Sequence, residues 1–121
     1  QQHLLRLDPE GKKLGTTPLP GGNPRQIRAF GAHFVVAHLA DNWPADRNSR
    51  GFVSVLDANL RVVSNIAGTA PEYDDTGALR KMRRQEEVFL HPHDLVADRQ
   101  GDLYVAQFAS GNTVPVKLER V

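Results

Sequence analysis

The sequence has no cysteine, one methionine and one tryptophan. Without thiols the chain forms neither a disulfide framework nor a thiolate metal site. The redox compartment is therefore left open. No apolar run approaches the roughly 20 residues that a helix needs to cross a bilayer, so no membrane span is expected. An excess of one charge is also lacking. Fifteen Lys and Arg stand against 14 Asp and Glu, for a formal net charge of +1. That balance gives no push towards nucleic acid or a membrane surface and fits a solvated, mixed-charge exterior. No initiating Met and no signal peptide are visible, and the chain is expected to be processed or cut from a longer one.

What is present is ordinary for a globular domain: 40% apolar and 24% charged residues. At 121 residues the chain is long enough for one small domain. Its clearest stretch is 89–121, FLHPHDLVADRQGDLYVAQFASGNTVPVKLERV. Strands are expected over 90–97, 103–108 and 114–121. Asp98 and Gly101 frame the first turn, Gly111 and Asn112 the second. Asp-x-x-Gly between short apolar runs is a hairpin signal.

Similar runs occur earlier. HLLRLD at 3–8 and the return at 13–19 flank a Pro-Glu-Gly turn. Strands are expected at 25–30 and 33–39 around Gly31-Ala32. GFVSVLD at 51–57 alternates apolar and polar residues as a half-buried strand does, and 60–66 follows it. The polar loop at 41–50 carries Trp43, expected to pack over its own loop. Residues 68–88 break the pattern. They hold Tyr73-Asp74-Asp75 and a basic run, Arg80, Lys81, Arg83 and Arg84. One or two helical turns are expected within 78–87, with Leu79 and Met82 on one face. The basic run reads as a solvated face.

The chain is self-similar. Pro24 and Pro92 lie 68 residues apart; Val36-Ala37 and Val105-Ala106 lie 69 apart; Leu7-Asp8 and Leu56-Asp57 lie 49 apart. Repeats of about 40–45 residues with four strands each mark propeller blades. The longer spacing is assigned to insertions. About nine strands make little more than two blades, and a ring needs roughly 4–8. The expected fold is therefore all-β, a fragment of a propeller: a half blade at 3–19, a blade at 24–67, an insertion at 68–88 and a partial blade at 89–121. Missing blades of the same propeller, or other chains, would complete the ring.

The phrase HPHDLVADRQGDLYVAQ resembles an NHL repeat. A Pro-containing strand is followed by Asp-x-x-Gly and an aromatic-Val-Ala strand. VAHLADNWPADRNSRGFVSVLD, paired with 91–121, is similar to bacterial NHL-repeat proteins with six-bladed propellers, relatives of the peptidyl-hydroxyglycine amidating lyases. The resemblance covers most of 23–121. It implies a zinc ion in the central channel, held by His from different blades, one of them following the Pro of an innermost strand. His93 matches that position. The residue after Pro24 is Arg25, so the remaining ligands are expected outside this stretch. A secreted protein, extracellular or periplasmic, is expected.

Read on their own residues, His91 and His93 form an H-x-H pair. On a strand both would point to one face and could reach one metal. Asp94 would orient an imidazole as an acceptor behind the metal ligands. Arg25, at the place of His93, cannot bind a metal but could grip a substrate carboxylate. His38 matches Gln107 and reads as a structural polar position. Tyr73, Asp74 and Asp75 could take calcium, against the plainer reading of an exposed acidic loop. Two functions are in play. One is a zinc-dependent lyase of the amidating type, the other a non-catalytic propeller that binds a protein or small ligand.

Overall fold

A computed structural model describes residues 2–120. It is all-β, with nine strands and no helix among these residues. In order they are β1 (His3–Leu7), β2 (Lys13–Pro18), β3 (Pro24–Phe30), β4 (His33–His38), β5 (Phe52–Leu56), β6 (Val62–Ile66), β7 (Pro92–Ala97), β8 (Leu103–Gln107) and β9 (Val116–Leu118). They form three antiparallel meanders, β1-β2, β3-β4-β5-β6 and β7-β8-β9. The last strand is shorter than the expected 114–121, whose residue 121 lies outside the described part.

The two central strands of the middle sheet, β4 and β5, are buried on both faces, and strand alternation sorts their side chains. Val35, Ala37 and Val53 face the third sheet, where they meet Phe89, Leu95, Leu103 and Val105. Val36, Phe52, Leu56 and Val62 face the other way, onto Leu19 and Met82, with Leu4 of β1 at the margin. A one-residue slip would exchange the two sets, so burial on both sides fixes the register. Burying each such side chain stabilises the fold by about 1.5–3 kcal/mol.

The repeat in sequence is a repeat in hydrogen bonding. Pro24 pairs with His38, and Pro92 with Gln107. Each pairing is followed by a register shift in the proline strand. The next contact also recurs: Leu39 N–H donates to Asn23 O at 3.0 Å, and Phe108 N–H to His91 O at 2.8 Å.

One turn is built four times. In 8–12, 57–61, 74–78 and 98–102 an Asp Oδ1 accepts the N–H groups two and four residues on, at 2.7–3.0 Å. The residue three after the Asp has positive φ. It is Gly11, Gly77 and Gly101 in three turns and Leu60 (φ 64°) in the fourth. Asp and Gly are what this geometry asks for, an Asx acceptor and a left-handed residue.

The turn at 74–78 lies in the insertion, where a helix was expected over 78–87. No helix forms there. Tyr73 bridges Leu79 and Gly68 bridges Arg84. The N–H groups find partners across the fold rather than four residues back: Met82 on Pro20 O at 2.9 Å, Arg84 on the Asp41 carboxylate at 3.1 Å. Met82 is buried against the middle sheet, so tertiary packing overrides a weak local preference. Gly21 (φ 104°) makes room beside it; a Cβ there would lie 2.0 Å from the Met82 carbonyl oxygen.

The meanders give the molecule two unlike ends. The turns at 31–32, 57–61 and 98–102 lie at one. The connections 39–51 and 108–115 and the two ends of 67–91 lie at the other, while 73–79 packs back against the 57–61 turn.

Candidate functional site

Long connections on a rigid sheet are where binding residues concentrate. Here that end also carries the starts of β3 and β7, which lie side by side. Arg25 is exposed on β3, and His93 is half-buried on β7. Each follows the proline that pairs with the last residue of the neighbouring strand. They therefore occupy matching positions of adjacent sheets, as the offset of 68 predicts.

His91 stands just before β7 and is buried, at 7% exposure. Its Nδ1 lies 3.0 Å from Phe108 O and its Nε2 3.0 Å from Ser49 O. Both partners are carbonyls, which only accept. A neutral ring donates to one of them and turns its other nitrogen to the second carbonyl oxygen, so as placed neither nitrogen is open to a metal. His91 instead pins the 41–50 loop to the end of β8. The ring of Trp43 packs edge-on against it, with centroids 4.9 Å apart, and against Phe108 at 5.9 Å. Trp43 thus packs on the third sheet rather than only on its own loop. Asn23 holds the loop from the other side, donating its Nδ2 to Ala40 O at 3.0 Å and Trp43 O at 3.3 Å.

The bulge falls within the H-x-H pair. The register shifts between Pro92 and Asp94, and His93 leans on Phe108, with centroids 5.7 Å apart. His93 makes no hydrogen bond among the described residues, so its ring is open. Asp94 does not serve an imidazole. Arg28 of β3 donates to it twice, Nε to Oδ1 at 3.0 Å and Nη2 to Oδ2 at 2.7 Å. Leu95 N–H adds a third bond at 2.8 Å. Hydrogen bonding from Arg28 holds the Asp94 carboxyl below the usual carboxylate range, against a smaller opposing effect of burial. The fork joins the second and third sheets.

No group of three or more His, Asp and Glu that could hold a metal occurs among the described residues. His93 alone offers a free imidazole here, so the residues present do not make a zinc site between them. In the insertion, Asp74 Oδ1 is engaged by Thr76 N, Thr76 Oγ1 and Ala78 N. Tyr73 accepts Val62 N–H at 2.7 Å, under the Arg61 guanidinium at 3.7 Å from the ring. These residues build the insertion.

The surface formed is aromatic and cationic. Phe108 is half-exposed, Trp43 carries Arg47 over its ring at 5.6 Å, and His93 stands beside Phe108. Such a surface suits flat or anionic ligands. The sequence reading missed Trp43 with Phe108 and Arg28 with Asp94. Both pairings are long-range and leave no local pattern. The Asp-x-x-Gly at 74–77 was a legible signal.

No family model, curated protein or solved structure matches the chain.

Proposed function

We propose that the chain is part of a six-bladed propeller of the NHL type. It binds a protein or small ligand, without catalysis, at the end where Arg25, Trp43, His93 and Phe108 lie. The recurring register of the second and third sheets supports the propeller reading. The observation that carries the binding reading is His91, whose two nitrogens both face carbonyl oxygens within the fold. One half of the H-x-H pair thus builds the surface instead of holding a metal. The rest of the ring would come from further blades or other chains.

The open ring of His93 favours a second reading, the amidating-type lyase. In that case His93 would supply one zinc ligand and other blades the rest, and zinc would act as a Lewis acid on the substrate hydroxyl. Arg25 would hold a substrate carboxylate through parallel hydrogen bonds.

Zinc titration of the longest available form of the protein decides between the two. Under the binding reading, no stoichiometric zinc survives dialysis and His93→Ala leaves the metal content unchanged. Stoichiometric zinc that His93→Ala removes would overturn it in favour of the lyase. Arg25→Lys should then weaken substrate binding and leave metal content unchanged.

A further inference from the structure

The end of the molecule opposite Trp43 carries a cleft of about 610 Å³ between the β3-β4 and β7-β8 turns. That size is in the range of small-molecule sites. Its floor is apolar, formed by Phe30, Val55 and Ala97, the margin of the core between the second and third sheets. Its rim carries His33, Arg99 and Arg120. Neither arginine makes an ion pair among the described residues. The one acid in the lining, Asp98, is engaged by its own turn. Its Oδ1 accepts Gln100 and Asp102 N–H, and its Oδ2 accepts the Tyr104 hydroxyl at 3.4 Å. Nearby Asp102 is matched by Lys117 at 3.3 Å.

Arg120 is held in place at both its backbone and its side chain. Its N–H donates to Asp102 Oδ1 at 2.9 Å. Its side chain lies across Gly101, where an added Cβ would come within 3.0 Å of Arg120 Cδ. Gly101 (φ 87°) is required by the turn, so the same glycine makes the turn and seats the arginine.

We propose that this cleft binds a small organic anion, a carboxylate or phosphate on a flat apolar body. The apolar floor takes the body, and the guanidinium groups take the charge. Guanidinium groups match either oxyanion with paired hydrogen bonds, and a half-enclosed site with an apolar floor strengthens the attraction over open water. This site is independent of the Arg25 and His93 surface, which lies at the far end of the strands.

The test uses the longest available form of the protein and three probes with one ring system: 2-naphthoate, 2-naphthyl phosphate and neutral 2-naphthol. Amide shifts of Ala32, Ala97 and Gly101 follow binding, and Trp43 fluorescence reports the opposite end. At least one anion should bind about tenfold more tightly than 2-naphthol. The tighter of the two identifies the headgroup. Arg99→Gln with Arg120→Gln should remove that advantage while leaving the other amide shifts in place. Each exposed arginine replaced singly should give an intermediate loss. Equal binding of 2-naphthol, unchanged affinity in the double variant, or a Trp43 response without shifts at Gly101 would each overturn the proposal.

Discussion

His38 should make the stability of this protein fall with acid well before its carboxylates do. The ring is fully buried, at 0% exposure, and stacks on Phe52 with centroids 4.3 Å apart and planes at 12°. Nδ1–H donates to Gly21 O at 3.2 Å, and Nε2 faces Ser54 Oγ at 2.8 Å. Ser54 has one proton, and Asn65 Oδ1 competes for it at 2.6 Å. A charged ring would donate to Ser54 and free that proton for Asn65, a gain of about 1 kcal/mol. Burying the charge costs several kcal/mol, so the neutral ring wins. Burial pushes the His38 pKa down from 6.5 to about 4, against a smaller opposing effect of the Gly21 hydrogen bond. Between those values the unfolded chain holds a proton that the folded chain does not. Stability from this group is full above the unfolded value and is lost as pH falls towards the folded one. The linkage gives about 2 kcal/mol lost between pH 7.5 and 5, and about 3 kcal/mol in all. Urea melts across that range measure it. The control is His38→Gln, because Gln107 fills the matching place in the third sheet. The variant should start less stable, having lost the stacked ring, and show a flatter pH profile by about 2 kcal/mol at pH 5. Parallel profiles for the two proteins would refute the reasoning.

Three further outcomes follow from the turns and the exposed faces. Asp98→Ala removes the acceptor of two backbone N–H groups and should cost about 1–3 kcal/mol in urea melts; a cost within error would mean that water replaces the carboxylate freely. Leu60→Gly relieves a left-handed residue worth about 1–2 kcal/mol, which offsets lost packing on Met82's side of the sheet, so stability should change by less than about 1 kcal/mol; a loss above about 2 kcal/mol would show that the side chain dominates. Leu5, Leu7, Val96 and Phe108 are each about half exposed on the outer sheets, so the isolated chain should associate; a single monomeric species in sedimentation at all concentrations would contradict this.

Much of the fold was legible because its signals are local. Alternation in Phe52–Leu56 sets one face against the other, and the Asp-x-x-Gly turns carry their own acceptor and their own left-handed residue. The strand pairs at 24–38 and 92–107 could be aligned from sequence because the same bulge follows each proline. The insertion at 68–88 was misread for the opposite reason. Leu79 and Met82 have helical spacing, but Met82 is buried by Pro20, Ser54 and Leu19, which are distant in sequence. Periodicity cannot tell a helical face from an irregular segment whose apolar side chains reach a core made elsewhere.

The candidate site was less legible, and the reason lies in the residues themselves. A pair such as His91-Pro92-His93 shares a face only if the strand is regular between them. Pro92 has no N–H to give the ladder, and the register shifts directly after it, so the two rings take different partners. One is then free to meet Ser49 O and Phe108 O, and the other meets the Phe108 ring. Asp94 lies beyond the shift and so comes within reach of Arg28 on the adjoining sheet. The proline that made the motif conspicuous in sequence is thus also where regular strand pairing breaks. What remains together is not a cluster of ligands but one open imidazole beside Phe108, whose ring in turn meets Trp43. That arrangement is why His93→Ala, read by zinc retention, separates the two functions more sharply than any substitution at His91.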